Sequence, residues 1–138
     1  MADGYQDIIL AGLSEQTVTE IDGFQQKGVF SVTRLNEMGI IDFIMVSGMN
    51  VFRYKGWEVI SEGEPCNVTI ERVGDMLKIQ NDKPVLLRIS KDPGFNPLKM
   101  KVYADDKLVG QRDGKVSRFN DSQVEFRLAH PYDKVIIE

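Results

Sequence analysis

The residues of this chain that could do chemistry are a few carboxylates, one histidine and one cysteine, and their spacing limits what they could do. Glu62 and Glu64 stand two apart, a spacing that puts side chains on one face of a strand. A glycosidase needs two carboxyl groups about 5–10 Å apart across the scissile bond. Gly63 and Pro65 flank them, so they read as surface acids of a loop. Asp105 and Asp106 precede Lys107 at an expected turn. Paired carboxylates suit calcium, which collects about six to eight oxygens, but a turn-forming pair is the favoured reading. His130 is the only histidine; it adjoins Pro131, and no G-x-S-x-G elbow accompanies it. Cys66 is the only cysteine, so no disulfide can close within one chain and no cysteine-based zinc site can form. It reads as a small buried residue. Neither a P-loop nor a G-x-G-x-x-G run occurs. The expectation is a protein with no catalytic set, no metal site and no cofactor, and not an enzyme.

Aromatic residues offer the better candidate surface. Phe52 and Tyr54 share a strand face, and Trp57 follows just past a turn. Such rings stack on sugars and anchor protein interfaces. They also fill cores, and that reading carries more weight for a lone tryptophan. Of the three, Tyr54 is the one expected to face outward. Phe52, Tyr54, Trp57, Asp105 and Asp106 are thus the candidate ligand-binding residues.

The elements that must position these residues are strands. In residues 68–89 and 98–103 apolar and polar residues alternate. Val68 and Ile70 share a face, as do Leu77 and Ile79, then Val85, Leu87 and Ile89, then Leu98, Met100 and Val102. Gly74-Asp75, Asn81-Asp82 and Pro93-Gly94 supply turns. Lys55-Gly56 and Asp113-Gly114 lie between strand-like runs as hairpin signals, the latter the stronger because a type I′ turn needs positive φ twice. Residues 29–34 alternate, residues 40–46 read as a strand covered on both faces, and Ser47-Gly48 breaks that strand. Residues 124, 126 and 128 point inward, and residues 134–137 close the chain as a short strand. Residues 1–13 form a leader with a short strand at residues 7–10. Residues 14–28 read two ways. Ser14 caps a helix that Gly28 closes, with Val18, Ile21 and Phe24 inward. Alternatively residues 17–21 form a strand turning at Asp22-Gly23, which the β-branched residues at 17, 18, 19 and 21 favour.

Composition sets the outer limits. One domain over residues 1–138 suits this length. The net charge of −4 argues against binding nucleic acid through phosphates. The cluster Arg112, Lys115 and Arg118 reads as ordinary surface charge around a hairpin. Asn67-Val68-Thr69 matches the glycosylation sequon, but with no secretory signal expected at the start it reads as chance. No run of eighteen apolar residues exists, so no membrane partner is expected. The missing disulfides favour folding in a reducing compartment. Residues 28–35 are faintly similar to a helix-hairpin-helix DNA-binding element, yet lack its G-x-G hairpin and basic residues.

The segments G-V-F-S-V-T-R-L-N-E-M-G-I-I-D-F-I-M, N-V-F-R-Y-K-G-W-E-V, C-N-V-T-I-E-R-V-G-D-M-L-K-I and P-L-K-M-K-V-Y, over residues 28–106, resemble the concanavalin A-like (lectin/glucanase, laminin G-like) jelly roll. In that family a strand ending I-E-R-x-G-D turns into one of the form x-L-x-I, matched here by residues 70–75 and 76–79. A turn, often Asn-Gly, follows there; here it is Asn81-Asp82-Lys83-Pro84. The family's calcium ligands and acidic catalytic pair have no match. The resemblance implies an antiparallel jelly-roll β-sandwich, of a kind found in carbohydrate-binding modules and bacteriophage virion proteins.

The resulting expectation is an all-β jelly-roll sandwich, with one short N-terminal helix as the open alternative. Its expected role is structural or adhesive, as a capsid decoration or tail component in a virion or the cytoplasm. Its expected partners are virion proteins, copies of itself as a homo-oligomer, or a surface glycan. A lectin-like module is the alternative, and a glycoside hydrolase or lyase ranks behind it.

Overall fold

The computed structural model describes residues 6–11, 17–74, 76–90, 100–104, 107–108, 117–118, 120 and 122–137. Every regular element among them is a strand: β1 (Gln6–Ala11), β2 (Thr19–Ile21), β3 (Phe24–Leu35), β4 (Ile41–Tyr54), β5 (Trp57–Ser61), β6 (Cys66–Val73), β7 (Met76–Asn81), β8 (Val85–Ser90), β9 (Met100–Ala104), β10 (Lys107–Leu108), β11 (Ser117–Arg118), β12 (Gln123–Leu128) and β13 (Tyr132–Ile137). All pairings are antiparallel. The long hairpin β3–β4 is the spine. Along one side of β4, residues 43–49 pair with β6 and residues 51–54 pair with β5. From β6 the sheet runs on through β7, β13, β9 and β10; from β5 it runs on through β8, β12 and β11. On the far side of β3, β2 pairs with residues 24–26 and β1 with residues 30–35. The sheet curls so that its two branches close on one hydrophobic core, giving the expected all-β antiparallel sandwich.

That core draws on both branches. Ile44, Val46, Val68, Ile70, Leu77, Ile79 and Val135 come from one; Trp57, Val59, Leu87, Ile89, Phe126 and Leu128 come from the other. Alternation explains them: β6, β7, β8 and β12 bury every second residue, as their sequences predict. Thr69, Glu71 and Lys78 stand on the wet face.

Turn chemistry selects the hairpins. Asp22-Gly23 has φ of 48° and 86°, and Lys55-Gly56 has 49° and 82°, the doubly positive pattern of a two-residue hairpin turn. At the β3–β4 loop Asn36 Oδ1 accepts the N–H groups of Met38 and Ile40 at 2.9 and 3.1 Å. Such a side-chain turn replaces missing ladder bonds.

The structure corrects several expectations. Of the two readings of residues 14–28 the strand reading holds over Thr19–Ile21, with its turn at Asp22-Gly23, and the helix is not seen in the described part; residues 12–16 lie outside it. Val18 and Ile21 are exposed, and Gly28 sits within β3 rather than at a helix end. Ser47-Gly48 does not break β4. The register shifts there against β6, making a bulge with Gly48 at φ 57°, and it shifts against β3 just beyond, between Met49 and Val51. Residues 40–46 are not covered on both faces, because Asp42, Phe43 and Met45 are only half-buried. The Asp113-Gly114 and Pro93-Gly94 turns, Leu98, Arg112 and Lys115 lie outside the described residues. No helix among the described residues is long and apolar enough to cross a membrane.

Candidate interaction surface

The aromatic cluster belongs to the core. Phe52 is 0% exposed, Trp57 2% and Tyr54 9%. Tyr54 therefore does not face outward as expected. Strand parity places Phe52 and Tyr54 inward together, and the Lys55-Gly56 turn sets Trp57 opposite Tyr54. Phe24 then stacks on Tyr54 with ring centroids 3.6 Å apart and planes 4° apart, and meets Phe52 edge-on at 6.0 Å. One face of the Tyr54 ring is thus covered. The Lys55 ammonium lies 5.7 Å from its centroid. Burial, then the negative charge of Asp22, raises the Tyr54 hydroxyl above its ordinary pKa. Asp105 and Asp106 lie outside the described residues.

What this hairpin offers to solvent is a shallow depression of about 300 Å³, rimmed by Gln25, Arg53, Tyr54, Lys55 and Glu58. Its floor continues into a row of side chains crossing five strands. In register order the row is Gln25, Arg53, Glu58, Arg88 and Glu125. Arg53 Nε donates to Glu58 Oε1 at 2.7 Å; Arg88 donates to Glu125 Oε2 at 2.8 Å and to Glu58 Oε1 at 3.4 Å. Gln123 Nε2 reaches Glu58 Oε2 at 3.0 Å and the Gly56 carbonyl at 2.7 Å. Burial opposes ionisation of Glu58, but hydrogen bonds from Arg53 and Gln123 and the charges of Arg88 and Arg53 outweigh it, so its carboxyl lies below the ordinary glutamate range. These charges are committed to one another. Sequence shows each of them between inward apolar residues, as in Trp57-Glu58-Val59 and Leu87-Arg88-Ile89, which places them outside. Only the register of five strands reveals that they line up.

The other chemical candidates are also engaged. Glu62 pairs with Arg127, and Glu64 accepts from Lys83 at 2.8 Å, so the two acids face different partners. His130 is exposed, edge-on to Tyr132 at 6.5 Å. Asn67 of the sequon receives no free role: its backbone and side-chain N–H groups donate to the two Asp82 oxygens at 2.7 Å, and its Oδ1 accepts from Gly48. Among the described residues no group of three or more His, Cys, Asp or Glu could hold a metal.

The spine exposes apolar surface where β1 joins it. Pairing β1 to β3 to β4 sets Ile9, Val32 and Met45 in one outward row, with Phe30 and Phe43 in the rows beside it. Ile9 is 62% exposed and the others are half-buried. On the opposite face of the same strands, Ser31 and Thr33 turn inward with Gln26. Ser31 Oγ donates to Gln26 Oε1 at 2.6 Å, while Gln26 Nε2 and Thr33 Oγ1 have no partner. Opposite Ser47-Gly48 the inward side of β3 changes parity between Gly28 and Ser31, so polar residues go in and apolar ones go out. No signal of a single strand's alternation could have located that surface.

No protein-family model matches this chain, and no curated protein is similar to it at a significant level.

Proposed function

We propose that this chain is a non-enzymatic structural or adhesive module that works by binding protein. The carrying observation is the outward apolar row Ile9, Val32 and Met45, flanked by Phe30 and Phe43, on a sheet face that an isolated module would keep polar. Contiguous apolar surface of this kind marks protein-binding sites on soluble folds. The resemblance of residues 28–106 to concanavalin A-like jelly rolls of virion proteins supports a place as a capsid-decoration or tail component of a bacteriophage. The test is the gene's neighbourhood together with mass spectrometry of purified particles. Capsid or tail genes alongside, and the chain recovered in sedimented particles, are the expected results. A neighbourhood without such genes and particles lacking the chain overturn the reading.

Glycan binding is the second reading, favoured by the hairpin depression, where Arg53, Glu58, Gln25 and the Tyr54 edge could meet hydroxyl groups. Calorimetric titration across a sugar panel decides it: no heat with any sugar removes it.

A further inference from the structure

Among the described residues β1 is a long sheet edge that lacks protection. It has six residues and, among those described, pairs on one side only, with β3. Natural edges are blunted by brevity, proline, bulges or outward charges, lysine above all. The sequence of β1 is Q-D-I-I-L-A. Its single charge, Asp7, is engaged by Arg34, whose Nε and Nη2 donate to it at 2.8 and 3.4 Å. Nothing in the strand discourages a further strand from adding to it.

Resting on the reading above that the chain binds protein, we infer that β1 pairs antiparallel with β1 of a second copy, about a two-fold axis at Ile9. The strand is self-complementary only in certain registers. Continuing the sheet requires inward residues to oppose inward residues, which leaves Ile8 against Ile8 or Ile9 against Ile9 near the centre. Centring on Ile8 sets the Asp7 carboxylate opposite Ile9. Centring on Ile9 sets Ile8 opposite Leu10 twice over on the core side, Ile9 opposite Ile9 on the outer side, and Asp7 opposite Ala11. Ile8 and Leu10 already pack against the core from the edge, so each gains the neighbour it lacks. The outward row Met45, Val32, Ile9 then continues into Ile9, Val32 and Met45 of the second copy. The contact is isologous and closes at two. A strand pair this short lies at the small end of specific interfaces, so the dimer is weak and concentration-dependent.

Directly opposed residues of antiparallel strands have Cα atoms about 4.5 or 5.5 Å apart, both within the span of a disulfide. The deciding experiment uses the whole chain carrying Ile9→Cys, Ile8→Cys or Leu10→Cys under mild oxidation, with sedimentation velocity on the unmodified protein. Cys66 is fully buried and leaves the background low. Sedimentation should show a monomer–dimer equilibrium. Ile9→Cys should cross-link into a dimer about tenfold faster than either neighbour, whose own copies do not oppose each other. Ile9→Lys, which sets two ammonium groups face to face, should abolish the dimer with an unchanged unfolding midpoint. A monomer at every concentration, or faster cross-linking through Ile8→Cys, overturns the pairing. A chain recovered in particles yet monomeric would sink this inference alone, whereas a dimer absent from every particle would sink the structural-module reading alone.

Discussion

Asn81 holds its register partner Tyr132 on the neighbouring strand: its Oδ1 accepts the Tyr132 backbone N–H at 3.1 Å, while its Nδ2 donates to the carbonyls of Lys83 and His130, both at 2.9 Å. The side chain is almost wholly buried. It sits where two connections pass between the branches, β7 to β8 and β12 to β13, so one amide satisfies backbone groups that no ladder reaches.

Replacing Asn81 by Leu keeps the volume and strands those three groups. The expected cost is about 2–4 kcal/mol, because buried polar groups lose their partners without regaining water. Urea unfolding should show a lower midpoint with an unchanged slope. Asn81→Asp should also destabilise, since a carboxylate keeps the Tyr132 bond and turns oxygen toward two carbonyls. A midpoint within error of the parent for both variants would show that the crossovers are held elsewhere.

At the bulge the chain depends on Gly28. A Cβ there would lie 2.6 Å from Met49 Sδ and 2.7 Å from both the Gly48 carbonyl oxygen and Met49 Cα. Two of those atoms are backbone, so no rotamer change relieves the clash. Gly28→Ala should cost about 2–4 kcal/mol, more than alanine costs at an ordinary strand glycine. Met49→Ala should fail to rescue it, which separates backbone crowding from side-chain crowding. Thermal melts of the two single variants and the double variant measure this.

The same bulge explains where the sequence was legible and where it was not. Strands β6, β7, β8 and β12 keep one parity along their length, because the extra residues of the bulged β4–β6 and β13–β7 pairings fall on β4 and β13, so their alternation names the buried residues correctly. The turns Asp22-Gly23 and Lys55-Gly56 are likewise visible, because their residue types are what positive φ selects. In β3 the inward set runs Phe24 and Gln26, then Ser31, Thr33 and Leu35, and the change of parity leaves Val29 exposed. A bulge depends on how two strands meet, and neither strand carries it alone. The charged row from Gln25 to Glu125 is hidden for the same reason. So is the apolar row through Ile9, which needs three strands in register. Tyr54 misled because its hydroxyl suggested an outward tip, whereas Phe24, reached through the β2–β3 turn, covers its ring.

Glu58 makes stability depend on pH. Its carboxyl is held below the ordinary value of 4.5, so the folded state binds that proton less readily than the unfolded state. Its contribution is complete above the ordinary value and is lost as pH falls through the depressed one. Asp7, held down by its hydrogen bond from Arg34, and Glu64, held down by Lys83, act with the same sign from exposed positions. Glu58→Gln should cost about 1–2 kcal/mol at neutral pH, where two arginines lose their shared anion. The gap between variant and parent should narrow as pH drops below 4.5. Urea midpoints at a series of pH values test it, and a gap that stays constant would refute the assignment to Glu58.

Cys66 reports on opening of the sandwich. Its side chain is fully buried, with Sγ donating to the Met49 carbonyl at 3.4 Å. Burial, then the charge of Asp82, pushes the thiol up to about 11 from an ordinary 9.0. Two units leave about a hundredfold less thiolate at neutral pH, and the thiolate is the reactive form. Modification by an aromatic disulfide reagent should therefore be at least about a hundredfold slower in the native protein than in urea. Because β6 meets β4 at Met49 opposite Cys66, labelling requires separating these strands. The rate should then rise with denaturant in step with global unfolding, and Gly28→Ala, which crowds Met49, should raise it further. Rapid labelling of the native protein, independent of denaturant, would mean that the β4–β6 seam opens without unfolding the rest.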